Sequence, residues 1–110
     1  ESLDNRIVDS PKNAALYFQR ANLYWKMGEN ERALNDFFKT TTFDSTKAIY
    51  YESLAAFFVE NANVDRGILA LEYAIKLEPN NSKLHVMSGK YNIYIKNYQA
   101  ALNHLNNELK

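Results

Sequence analysis

At 110 residues, with 46% hydrophobic and 24% charged side chains, the chain has the composition of one small globular domain rather than a disordered segment. Thirteen basic residues balance thirteen acidic ones, so no long-range field gathers phosphate backbones or anionic lipid, and neither nucleic acid nor a membrane surface is an expected partner. Cysteine is absent, which excludes disulfides and thiolate metal sites, and the longest apolar run, residues 54–59, is far too short to cross a bilayer.

In chain order, Leu3, Arg6 and Ile7 predict the last turns of a helix over 1–11, stopped at Pro11. Glu1 already falls inside that pattern, so the chain is expected to be processed or cut from something longer. Asn13 is the expected N-cap of the next helix, which carries Leu16, Tyr17, Ala21 and Tyr24 at helical spacing and ends at Gly28. A following helix buries Ala33, Leu34, Phe37, Phe38 and Thr41. The stretch 43–46 stops it and offers hydroxyl caps to its successor. Two more helices are expected on either side of the Asn61-Ala62 turn, with Asn63 capping the second. From Ser82 onward another helix is expected, then a break at which Asn97 caps a last one bearing Tyr98, Leu102, Leu105 and Leu109 as an apolar stripe.

These elements recur with a fixed period. Ser10-Pro11, Asp44-Ser45 and Glu78-Pro79 stand 34 residues apart. Small residues share that period at Ala21, Ala55 and Gly89, and again at Ala33, Gly67 and Ala101; bulky ones share it at Tyr17, Tyr51 and His85, and at Phe37, Leu71 and Leu105. The length of the unit and these columns resemble the tetratricopeptide repeat family over nearly the whole chain. Residues 14–47 form one unit and 48–81 the next. In the latter, Tyr51, Leu54, Ala55, Phe58, Gly67, Leu71, Ala74 and Pro79 match the family's signature classes. Residues 82–110 are expected to form a degenerate third unit, with Ser88, Asn92 and Glu108 where small or apolar residues are usual, and without a capping helix within these residues. The expected fold is therefore all-α: antiparallel helical hairpins stacked into a solenoid, right-handed as the resemblance implies. Small columns are needed where paired helices approach, so Ala55→Leu is expected to cost about 1–3 kcal/mol by overpacking.

The resemblance further implies that the first helix of each unit lines a concave groove for a protein or peptide partner. Carried onto this chain, the groove positions are Phe18, Gln19, Asn22, Trp25 and Lys26 with Ala15; Ile49, Glu52, Ser53 and Val59 with Ala56 and Glu60; and Lys83, Val86, Met87, Lys90 and Tyr94 with Ile93. Independently of the resemblance, Phe18, Asn22 and Trp25 lie on one helical stripe, distinct from that of Tyr17, Ala21 and Tyr24. Trp25, Val59 and Ile93 fit the groove, a turn into the core, or cover by the N-terminal segment. Co-chaperones of this family grip acidic C-terminal peptides with lysine, asparagine and arginine side chains. The matching positions here are Phe18, Asn22, Ser53, Lys83 and Met87, of which only Asn22 and Lys83 conform. A partner segment with apolar anchors is expected instead, with Glu52 and Glu60 opposing an acidic tail.

No catalytic constellation is legible. His85 and His104 lack the spacing of a helical metal pair, and no phosphate loop or nucleophile triad is present, so no enzyme, metal or cofactor is expected. His85 is expected to pack between helices in the bulky column, His104 to be solvated, and Asn80-Asn81-Ser82 to serve as turn and cap rather than as a glycosylation acceptor. The leading expectation is a non-catalytic interaction scaffold. The alternative is self-association, including a homodimer, through Tyr98, Leu102, Leu105 and Leu109. The degenerate repeats resemble those of bacterial proteins, including processed cell-envelope lipoproteins, which leaves the compartment open between cytoplasm and the bacterial cell envelope or periplasm.

Overall fold

The computed structural model describes residues 2–108, so Leu109 lies outside the described residues. Among the described residues six helices follow one another: α1 (Leu3–Asp9), α2 (Ala14–Lys26), α3 (Asn30–Phe43), α4 (Ala48–Glu60), α5 (Val64–Leu77) and α6 (Ser82–Glu108). The α2–α3 and α4–α5 pairs are the expected hairpins. α3 bridges to α4, and α6 lies against α5, so each element covers the apolar face its predecessor leaves open.

The local signals explain most boundaries. The Asn13 side chain accepts the Ala15 N–H, and that of Asn63 accepts the Arg66 N–H, each satisfying a donor that the helix start leaves free. Gly28 ends the α2 turn at φ 78°, a conformation that costs glycine nothing. One repeat later Ala62 adopts φ 63°. An alanine there is strained by about 1 kcal/mol, so Ala62→Gly is expected to raise the urea midpoint by that equivalent. The start of α4 departs from expectation. Lys47 is its N-cap and no side chain caps it, because Asp44 draws both the backbone N–H and the hydroxyl of Thr46 into an Asx turn. Those bonds hold the Asp44 carboxyl below its usual range.

One apolar cluster runs from Ala21, Ala33 and Phe37 through Leu54, Ala55, Phe57 and Phe58 to Leu71, Ala74 and Leu84. The small columns of the first two units are inside, with Ala21, Ala33 and Ala55 fully buried and Gly67 buried, whereas Gly89 and Ala101 of the third are exposed. A smaller cluster of Ile7, Leu16 and Tyr17 seats α1 on α2. On α3 the buried stripe is Ala33, Asp36, Phe37 and Thr40, whereas Phe38, expected inside, is exposed. Asp36 is tolerated there because Arg20 forks onto it at 2.7 and 2.9 Å. Arg20 also reaches Asp4 at 3.0 Å, tying α1, α2 and α3 together. Its guanidinium pKa is raised, chiefly by the hydrogen bond to Asp36.

The third unit differs most from expectation. α6 is one helix of 27 residues, with no break at Asn97. Asn97 therefore caps nothing, and the last helix does not fold back. Two features account for this. The left-handed turn position held by Gly28 and Ala62 is Lys96 here. The face that would receive a returning helix carries His85, Ser88, Gly89 and Asn92, where the second unit has Tyr51, Leu54, Ala55 and Phe58. A fold-back would bury almost no apolar surface and would still pay the turn's conformational cost. Consistently, nothing lies within 4 Å of a Cβ built on Gly89.

Candidate interaction face

The first helices α2, α4 and α6 form a row whose links are side-chain contacts. From α2 to α4, the Phe18 ring lies 4.8 Å from that of Tyr50, and the Trp25 ring meets that of Phe57 edge-on at 5.6 Å. From α4 to α6, Lys83 Nζ donates to Glu52 Oε2 at 2.8 Å. The Glu52 hydrogen bond holds the Lys83 amine above its usual pKa. Burial first, then the Glu52 charge, pushes the neighbouring Tyr91 hydroxyl up.

The positions expected to line a groove divide into three kinds. Phe18, Trp25 and Met87 are half-buried and pack against the core, Phe18 and Trp25 also facing the Phe37 ring at 6.3 and 6.1 Å. Asn22 is tied to its own helix, its amide donating to the Phe18 carbonyl at 2.9 Å. Ser53, Ala56 and Val59 are half-buried. The outward residues are Ala15, Gln19, Lys26, Ile49, Glu60, Val86, Lys90, Ile93 and Tyr94. Among them Ile49, Val86 and Tyr94 expose 46%, 56% and 48% of their surface.

Two recesses flank this row. Phe18, Gln19, Asn22 and Lys26 line one of about 380 Å³ together with Leu3 and Leu23, so α1 supplies part of its wall. Val59, Glu60 and Val64 at the α4–α5 corner face Tyr94, Ile95 and Tyr98 of α6 across another of about 590 Å³. There the Tyr94 and Tyr98 hydroxyls share a hydrogen bond at 2.9 Å, which raises the Tyr98 pKa. A third recess, of about 460 Å³ between α3 and α5, was not anticipated. Phe38, Tyr51, Phe58, Leu69 and Tyr73 line it, and the Tyr51 and Tyr73 rings stack at 5.4 Å. Its signal in the sequence was Leu69 and Tyr73, where the preceding unit has Asn35 and Lys39.

His85 is exposed rather than packed between helices. Its Nε2 lies 2.7 Å from the Pro79 carbonyl oxygen, the tether that the Tyr17 hydroxyl makes to the Pro11 carbonyl two units earlier at the same distance. In the first and third units the bulky column thus binds the preceding turn through a polar tip, and an imidazole can do that from the surface. His104 is exposed on the distal half of α6. Among the described residues no group of three or more His, Cys, Asp or Glu could hold a metal ion, and no helix is long and apolar enough to cross a membrane.

No known sequence family matches the chain, and no curated relative matches it. Solved structures do. The first TPR of Spaghetti (RPAP3), bound to an HSP90 peptide, superposes with a TM-score of 0.77 at 18% identity, covering 86% of this chain and 75% of that one. YrrB, a TPR protein with an unusual peptide-binding site, gives 0.77 at 25% identity, covering 97% and 55%. MamA gives 0.76 at 19% identity, covering 92% and 59%. The chain therefore spans less than two thirds of YrrB and of MamA.

Proposed function

Since this chain is a tetratricopeptide repeat protein in fold, we propose that it is a non-catalytic interaction module that binds a segment of another protein on the face formed by α2, α4 and α6. The observation that carries this reading is the row of outward apolar side chains on consecutive first helices, Ile49, Val86 and Tyr94, on a surface that solvation alone would make polar. Peptide binding by Spaghetti and YrrB supports the same use of the fold.

The chemistry of the face narrows the partner. Lys83, which would meet a terminal carboxylate, is already paired with Glu52, and Asn22 is bonded to its own helix. Lys26 and Lys90 are outward and unpaired among the described residues, and Glu60 is outward one period after Lys26. An extended segment with two or three apolar anchors, rather than an acidic tail, fits this distribution.

The test is selection of binders from a displayed random-peptide library, followed by calorimetry on variants. Ile49→Glu and Val86→Glu are expected to weaken the selected peptides by about tenfold or more each, as loss of a buried apolar anchor does. Val8→Glu, on the far side of α1, serves as the control. Peptides indifferent to both groove substitutions would place the binding face elsewhere.

A further inference from the structure

The overhanging half of α6 carries information that the groove does not use. Leu84, Met87, Tyr91, Tyr94, Tyr98, Ala101 and Leu105 alternate at spacings of three and four residues along the unbroken helix, which is a heptad seam. Its first part is occupied: Leu84 is buried, and Met87 and Tyr91 pack against the core. The same face then runs past the end of the α4–α5 hairpin, where Tyr94, Tyr98, Leu102 and Leu105 are between 48% and 60% exposed. The uncovered seam is thus continuous with an interface the protein already makes. A helical extension of about a dozen residues is marginal in water when nothing packs on it. The several asparagines of this stretch, Asn97, Asn103, Asn106 and Asn107, are weak helix formers and add to the need for a partner.

We propose that the occupant is the same segment of a second copy, paired antiparallel about a two-fold axis near Gln99 and Ala100. The side chains choose the direction. A parallel pair would set Tyr98 against Tyr98 and Ala101 against Ala101, a collision followed by a void. The antiparallel pair sets Tyr98 of each copy against Ala101 of the other and Tyr94 against Leu105, large on small in alternation. It also brings Leu105 of the second copy beside the corner recess walled by Val59 and Val64, which supplies further apolar surface. The half-exposed seam side chains offer roughly 100 Å² each, so two copies supply roughly 800 Å² of apolar area. At the usual apolar share of an interface this corresponds to roughly 1,300 Å² in all, within the range of specific dimers. The surface shares Tyr94 with the row of α2, α4 and α6 used above but neither Ile49 nor Val86, so Leu105→Glu tests this pairing and Ile49→Glu and Val86→Glu test the groove reading separately.

Light scattering across a concentration series should give twice the mass of the chain, and Leu105→Glu or Ala101→Glu should return it to the monomer mass. Val8→Glu should change nothing. Because the chain has no cysteine, direction can be read by oxidation of mixed single-site variants. Tyr98→Cys mixed with Ala101→Cys should cross-link between the two variants and poorly within either. A chain that is monomeric at every concentration, or a dimer that survives Leu105→Glu, overturns the proposal. Cross-linking confined to like variants overturns the antiparallel pairing.

Discussion

Asp36→Ala is expected to destabilise the protein by about 3 kcal/mol, because it strands a largely buried guanidinium. Asp36 is 2% exposed, and its carboxylate takes both branches of the Arg20 fork. The loss sits at the low end for a buried pair because Arg20 retains Asp4 at its more open edge. The repeat itself supplies the decisive control. One period later the columns of Arg20 and Asp36 hold Leu54 and Ala70, buried at 5% and 6% exposure in the equivalent hairpin. The geometry therefore accepts an apolar pair. The double variant Arg20→Leu/Asp36→Ala is expected to recover most of the loss, as replacement of a whole ion pair commonly does. Urea denaturation of the two single variants and the double variant measures this. A double variant no better than Asp36→Ala would mean that the ion pair positions α1 in a way the apolar pair cannot.

Gly67→Ala and Gly89→Ala are expected to act in opposite directions, although each simply adds a methyl group within a helix. A Cβ on Gly67 would lie 2.6 Å from Val59 Cγ2 and 3.1 Å from the Ala55 carbonyl oxygen. Neither neighbour yields easily, since valine is stiff at χ1 and the oxygen belongs to helix α4. Overpacking should outweigh the gain of about 1 kcal/mol in helix propensity and leave a net loss of about 1–2 kcal/mol. At Gly89 nothing lies within 4 Å, so only the propensity gain remains, and stability should rise by up to about 1 kcal/mol. A larger side chain at the same site tests the continuity of α6. If the third unit folded back in solution, Gly89 would occupy the column of Ala21 and Ala55, which accepts alanine and nothing bulkier, so Gly89→Leu would destabilise it, whereas on the open face Gly89→Leu is tolerated.

The candidate face was only partly legible. Its positions follow from the period and the helical spacing, and the outward placement of Gln19, Lys26, Ile49, Val86 and Lys90 needs nothing more. Whether an aromatic ring on that face turns outward depends on what stands across from it. Phe37, Tyr50 and Phe57, from α3 and α4, draw the rings of Phe18 and Trp25 inward. The Arg20–Asp36 bond was readable in principle: an acid on the stripe of Ala33, Phe37 and Thr40 calls for a cation. Its partner lies 16 residues away, however, and only the hairpin brings the two together.

The sequence by itself determined the hairpins, because a fixed period, two small columns and the caps at Asn13, Asn63 and Gly28 all specify the same units. Tertiary structure decided the turns that local chemistry leaves balanced. Ala62 is a poor left-handed residue, yet it turns, because Leu54, Ala55 and Phe58 gain burial against α5 once it does. Asn97 is a good cap in isolation, yet the helix passes through it, because His85, Ser88 and Asn92 offer a returning helix nothing to bury against. The free energy of a turn is local and about 1 kcal/mol, whereas the apolar surface it brings together is worth several times more, so burial settles which turns are made.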